Sequence, residues 1–248
     1  VGYETLKNQN SDADNFNVAV GYQAGGDITT GIQNTLIGGL AADNLTTGNH
    51  NVAIGKSALD AETAGNQSIA IGLQALAAQN NSSSTNAFNV AIGSQAGLSV
   101  TTGLQNVIVG GLAGDALTDA DDNVAIGTVA LTADTLGSRS VAVGRGTLGT
   151  QNFTSATNTN NTAVGYDAGA AITTGTENTL IGALAGDALT DADLNVAVGA
   201  SALSSDNLGS ASVAIGKGAL AVQNFTSATN TFNTAVGHNA GLQVTTGT

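Results

Sequence analysis

NVAIGKSALDAETAGNQSIAIG, residues 51–72, holds two copies of one five-residue motif whose closing glycines, Gly55 and Gly72, stand 17 residues apart. The motif is Asn or Ser, then Val, Thr or Ile, then an apolar residue, then Val or Ile, then Gly. It recurs at 17–21, 34–38, 51–55, 68–72, 89–93, 106–110, 123–127, 140–144, 161–165, 178–182, 195–199, 212–216 and 233–237, and Val1-Gly2 is the tail of another copy. The steps between glycines run 17, 17, 17, 21, three times over, so the repeating unit is a block of 72 residues. The blocks cover about 21–92, 93–164 and 165–236 of a single continuous segment, 1–248, and the 19 residues from Gly2 to Gly21 read as a shortened long coil. The Ser form of the motif, at Ser68, Ser140 and Ser212, opens each long coil. Opening on the tail of a motif and closing within a coil, the chain reads as an excerpt of something longer.

A fixed short period signals a repeat architecture. Seventeen residues are too few for a helix pair, and each interior glycine costs a helix about 1 kcal/mol. The β-branched motif suits a strand, and a glycine at each corner permits a tight turn. The expected fold is all-β: a parallel β-solenoid, a β-roll or β-helix of about 14 coils with the 17,17,17,21 period. Coils stacked about 4.8 Å apart would make a rod of about 65 Å. Ala stands three residues after nearly every motif glycine, with Thr5 and Thr147 as exceptions, and many short coils continue as aliphatic-Thr-Thr-Gly, as in 28–31, 100–103 and 172–175.

Alternate strand residues point to opposite faces. The middle motif position is apolar in every copy, as are most outer positions, which predicts burial on both faces. One face fills the coil, and the other needs a second sheet or chain. Small Ala at the middle position suits close approach to a shared axis, so the chain is expected to intertwine or pack with identical chains as a homotrimeric fibre. The motif asparagines, Asn17, Asn34, Asn51, Asn89, Asn106, Asn123, Asn161, Asn178, Asn195 and Asn233, form a candidate amide ladder of the kind that stacked strands build.

Composition narrows the functions. The net charge of −13 with only five Lys and Arg disfavours nucleic acid and anionic membranes as partners. No apolar run approaches the roughly 20 residues that span a bilayer, so no membrane insertion is expected of this segment. Zero cysteines remove disulfides and thiolate metal sites while leaving the redox compartment open. His50 and His238 lie in different phases of different coils, no cofactor loop precedes a helix, and a regular stack offers no cleft, so an enzyme is not expected and neither is a cofactor. The acidic turns Thr118–Asp122 and Thr190–Asp193 offer oxygen ligands. The glycine-rich calcium repeat is missing, however, and solvated turn carboxylates with no metal are the better expectation.

NVAIG and SVAIG resemble the head repeats of trimeric autotransporter adhesins, trimers of left-handed β-rolls with shorter coils. NTAVGYDAGAAITTGTENTLIGALAG, residues 161–186, is closer to repeats of phage tail-fibre-like proteins. The likeness covers essentially the whole chain. It implies an extracellular, cell-surface or virion structural subunit whose partners are identical chains and a host-surface or glycan ligand. The coil lengths depart from the adhesin pattern, and no coiled-coil stalk, membrane anchor or chaperone domain accompanies the repeats.

The long coils carry what a binding role would use. QNFTSATNTNNT (151–162) recurs as QNFTSATNTFNT (223–234), and extra residues in a solenoid bulge from one face. Phe88, Phe153 and Phe225 are candidate surface contacts for a sugar, against the simpler reading that they cap a widened coil. Asn80, Asn81, Asn152, Asn160 and Asn224, with Asn44 and Asn66 elsewhere, head N-x-S/T sequons and are candidate glycan attachment points. The bulge Thr and Ser residues could equally carry O-linked sugar. The Thr-Thr pairs raise an ice-binding solenoid as a third class, although the pairs are interrupted.

Overall fold

The computed structural model describes residues 1–10 and 14–248, and it is an all-β parallel β-solenoid with the expected period. The chain folds as two compact units, Val1–Asn123 and Val124–Thr248. In the first unit the motif forms β1 (Val18–Val20), β2 (Thr35–Ile37), β3 (Val52–Ile54), β4 (Ile69–Ile71), β5 (Val90–Ile92) and β6 (Val107–Val109). Each pairs in parallel with the next, Val18 with Thr35, Thr35 with Val52 and Val52 with Ile69. The longer step takes Ile69 to Val90, and Val90 then pairs with Val107.

The second unit repeats this with β7 (Val124–Ile126), β9 (Val141–Val143), β11 (Thr162–Val164), β12 (Thr179–Ile181), β13 (Val196–Val198), β15 (Val213–Ile215) and β17 (Thr234–Val236). Its long steps pair Val141 with Thr162 and Val213 with Thr234. Two small parallel pairs accompany them. β8 (Gly137–Ser138) pairs with β10 (Thr157–Asn158), and β14 (Gly209–Ser210) pairs with β16 (Thr229–Asn230). The bulges of these long coils are thus paired backbone rather than free loops.

The corner glycine of each coil is required twice over. Gly55 has φ +135°, a region closed to L side chains, and a Cβ there would stand 2.2 Å from the carbonyl oxygen of Gly72 in the next coil. Other bends are made by residues that sequence reasoning would not place at positive φ. Leu59, Leu131 and Leu203 lie at φ 53–55° with their side chains buried. A left-handed L residue costs about 1–2 kcal/mol, and a Leu buried in the coil offsets it by about 1.5–3 kcal/mol. The two exceptions to the Ala column have a hydrogen-bonding reason. Thr5 and Thr147 donate from Oγ1 to the carbonyls of Gly21 and Gly165, at 2.8 and 2.6 Å.

The structure reverses the expected facing of the strands. The middle residues, such as Ala53, Leu36, Ile108 and Leu180, point into the coil and are fully buried. The outer β-branched residues point outward and are half-buried or exposed. Ala therefore lines the coil interior, where the cross-section is narrow, and not a shared axis. In the second coil of each block the middle residue is large, Leu36, Ile108 or Leu180. Gly25, Gly97 and Gly169 in the preceding coil leave it room, with built Cβ positions 2.6, 3.0 and 2.8 Å from its δ carbons.

Candidate functional site: the long coils and the outward face

The motif asparagines form a ladder, bonded mainly from each amide to the backbone of the next coil rather than from amide to amide. Asn34 Nδ2 donates to Gly48 O at 2.9 Å, and its Oδ1 accepts from the backbone N–H of Asn51 at 2.9 Å. Asn17, Asn51, Asn89, Asn106, Asn161, Asn178, Asn195 and Asn233 donate to the corresponding turn carbonyl at 2.6–2.9 Å. Asn123 joins through its N–H, which donates to Asn106 Oδ1 at 3.0 Å. A second, partial ladder absorbs the acidic turns. Asp121 Oδ1 accepts from Leu104 N and Asp193 Oδ1 from Thr176 N, both at 2.7 Å, as Asn49 does from Ile32 N at 2.8 Å. Among the described residues no group of three His, Asp or Glu is placed to hold a metal ion.

At the Ser form of the motif the ladder is relayed through a buried glutamine. Gln79 Nε2 donates to Ser68 Oγ at 2.9 Å and to Glu62 Oε2 at 2.8 Å, while its Oε1 accepts from Asn89 Nδ2 at 2.9 Å. Gln151 joins Ser140, Asp134 and Asn161 in the same way, and Gln223 joins Ser212, Asp206 and Asn233. The three acids are fully buried. Their carboxyl oxygens accept from backbone donors. Glu62 Oε1 accepts from Thr63, Gly65 and Asn81 N–H at 2.9, 2.8 and 3.0 Å, and Asp134 Oδ1 from Gly137 and Phe153 N–H at 3.0 and 3.1 Å. Sequence reasoning missed this cluster, although a signal was present. Seven residues after the corner glycine, each block reads aliphatic, aliphatic, acid, Gln: Val100, Leu117, Asp134, Gln151, then Ile172, Leu189, Asp206, Gln223.

The candidate contact residues separate. Phe153 and Phe225 are buried at 7% and 6% exposure, filling the root of the bulge, and are not available to a ligand. Phe88, 48% exposed, is available. Of the sequon asparagines, Asn80, Asn152, Asn160, Asn224 and Asn44 are exposed. Asn81 is buried and donates from Nδ2 to Glu62, and Asn66 is buried and donates to Ser84 Oγ, so neither presents a free amide. Asn152 Oδ1 accepts from Thr135 Oγ1 at 3.1 Å.

The exposed apolar surface lies mostly on the outward face of the motif. Among the described residues, every exposed large apolar side chain except Leu112, Leu184 and Val222 falls in four columns: five, three and one before the corner glycine, and one after it. The two strand columns contain only Val, Ile and Thr in a chain of net charge −13. Phe16, Phe88, Leu194 and Phe232 flank them on one side. On the other stand all three tyrosines, with Lys56, Arg145, Lys217 and His238. Tyr3 and Tyr22 stack with centroids 5.5 Å apart, and the Arg145 guanidinium lies 5.6 Å over the Tyr166 ring. Among the described residues no helix is long and apolar enough to cross a membrane.

Comparison with protein-family models, with curated proteins and with solved structures gave no match.

Proposed function

We propose that this chain is a structural segment of an extracellular or virion fibre, built from three identical chains that meet through the outward face of the motif strands. The observation that carries the reading is the concentration of exposed apolar side chains on that face. A stable interface needs about 800 Å² per partner with an apolar core and an aromatic or Arg flank. The strand columns and their flanks supply that composition coil after coil, and an identical chain is a partner with the same spacing. The bulges, with Phe88, are the candidate contacts to a host surface or glycan, and Asn152 and Asn224 are the best-placed sequon asparagines. Native mass spectrometry is expected to give three chains, and a monomer at micromolar concentration would overturn the assembly.

The second reading is the head of a bacterial trimeric adhesin, favoured by the NVAIG and SVAIG motifs. Neighbouring sequence discriminates: a membrane-anchor barrel marks the adhesin, a virion-attachment or chaperone domain the fibre. An ice-binding role draws on the Thr columns. Thr29 and Thr46 donate from Oγ1 to backbone carbonyls of the next coil at 3.2 and 2.9 Å, which ties those hydroxyl protons to the stack. Absent thermal hysteresis would remove that role.

A further inference from the structure

The buried acids are not needed to fill the coil. Where the column seven residues after the corner glycine is aliphatic, as at Ile172 and Leu189, the coil closes on a dry core. Acid and glutamine occur only in the last short coil and the long coil of each block. Every acid bonds two things at once: its own turn, and the backbone N–H at the root of the next coil's bulge. Those N–H groups belong to Asn81, Phe153 and Phe225, at 3.0, 3.1 and 2.9 Å. The three copies vary in concert. The longer Glu62 goes with Asn81, whose Nδ2 also donates to it at 3.0 Å, and the shorter Asp134 and Asp206 go with Phe153 and Phe225. Gln9 stands at the glutamine phase of the first long coil.

From these observations we infer that the acid–glutamine pair is a register key, a positioning device that seats each long coil on the coil before it and fixes the root of its bulge. A long coil stacked one position out of register would lay its glutamine against an aliphatic side chain. It would also leave a buried carboxylate without its bulge donor, a mismatch that no aliphatic column would penalise. The key thus sets where along the stack the bulges emerge. It acts on the segments 152–158 and 224–230, which carry the exposed Asn152 and Asn224, without touching a ligand itself.

The test is hydrogen exchange on the intact chain carrying Asp134→Ala, which removes the oxygen that accepts from the Phe153 N–H. Exchange at the Phe153 amide and through 154–158 is expected to accelerate at least tenfold, while Phe225 and 226–230, held by the unaltered Asp206, keep their rates. Unchanged exchange at Phe153, or equal acceleration in both bulges, would overturn the inference. A gain-of-function arm does not depend on a weakened variant. Fusing a copy of residues 55–70 ahead of Val1 sets an acid one coil before Gln9. The fused chain is expected to unfold at higher denaturant than the same fusion carrying Glu62→Gln in the added copy, and equal midpoints would count against the key.

Discussion

Replacing Asn178 by alanine isolates the ladder in its most enclosed form. Asn178 is fully buried. Its Nδ2 donates to Ala192 O at 2.8 Å, and its Oδ1 accepts from Asn195 N–H at 3.0 Å. Ala192 and Asn195 are themselves fully buried, so Asn178→Ala strands one carbonyl and one N–H away from water. Each orphaned group costs about 1–3 kcal/mol, which gives about 3 kcal/mol for the pair before any loss of packing. Asn233 is the more solvated comparison. Its turn bond, to Gly247 O at 2.6 Å, lies in an exposed setting where water can take over, while its bond to Gln223 Oε1 at 2.8 Å is part-buried. Asn233→Ala is expected to cost about 1 kcal/mol, below the cost at Asn178. Urea unfolding followed by circular dichroism would read the difference as a midpoint shift of about 1 M for Asn178→Ala at unchanged slope. Equal costs at the two positions would show that amide volume, and not the ladder bonds, stabilises the stack.

Leu180→Ala is expected to cost about 3–5 kcal/mol by the same assay, because Gly169 and Gly186 beside it have no side chain that could collapse into the void. The carboxyls of Asp43, Asp60 and Asp187 are raised, chiefly by burial, with a smaller push from Asp27 on Asp43, Asp43 on Asp60 and Asp167 on Asp187. An acid raised in the folded state holds its proton more tightly there than in the unfolded chain, so its penalty is absent when protonated and grows as pH climbs above the ordinary 3.8. The melting temperature of Asp187→Asn should therefore exceed that of the parent at pH 7, with the gap closing on acidification; a gap that persists at low pH would refute the assignment. Ile181→Lys, on the outward face, should change the stability of the isolated chain by about 0.5 kcal/mol or less yet shift native mass spectra toward single chains. An unaltered mass distribution would place the interface elsewhere.

The period, the strands, the corner glycines and the asparagine ladder were legible because each is a constraint on one residue repeated at a fixed step. Gly55 must be glycine, and Asn34 must be an amide with both ends used. The facing of the strands was not legible from the strand alone, since Val-Ala-Ile is apolar on both sides. What decides it lies elsewhere in the coil, in a trade of volume. Where the residue four after the corner glycine is Leu, the one three further on is polar: an acid after Leu131 and Leu203, and a glutamine after Leu76, Leu148 and Leu220. Where it is Gly, as at Gly114 and Gly186, the later one is aliphatic, Leu117 or Leu189. Both combinations fill one narrow cross-section, and only Ala or a single larger residue fits beside them, so the β-branched pair is forced outward.

The same trade explains why the stack tolerates the key. Leu131 and Leu203 supply the apolar burial that an aliphatic residue would otherwise give at Asp134 and Asp206, so the acid occupies a niche whose hydrophobic contribution has been moved three residues upstream. Burying a carboxylate among donors adds little net stability over a well-packed apolar residue, but removing its partners is costly. The arrangement therefore specifies position more than it stabilises. Two copies of the key with Asp and one with Glu imply that the first bulge, rooted on Asn81, is held by an additional side-chain bond that the Phe-rooted bulges lack. Asn81→Phe should then be poorly tolerated beside Glu62, and better tolerated together with Glu62→Asp. A double-mutant cycle by urea unfolding would read the coupling, with about 1 kcal/mol or more expected between groups in direct contact. Additive costs would mean that acid length and bulge root vary independently.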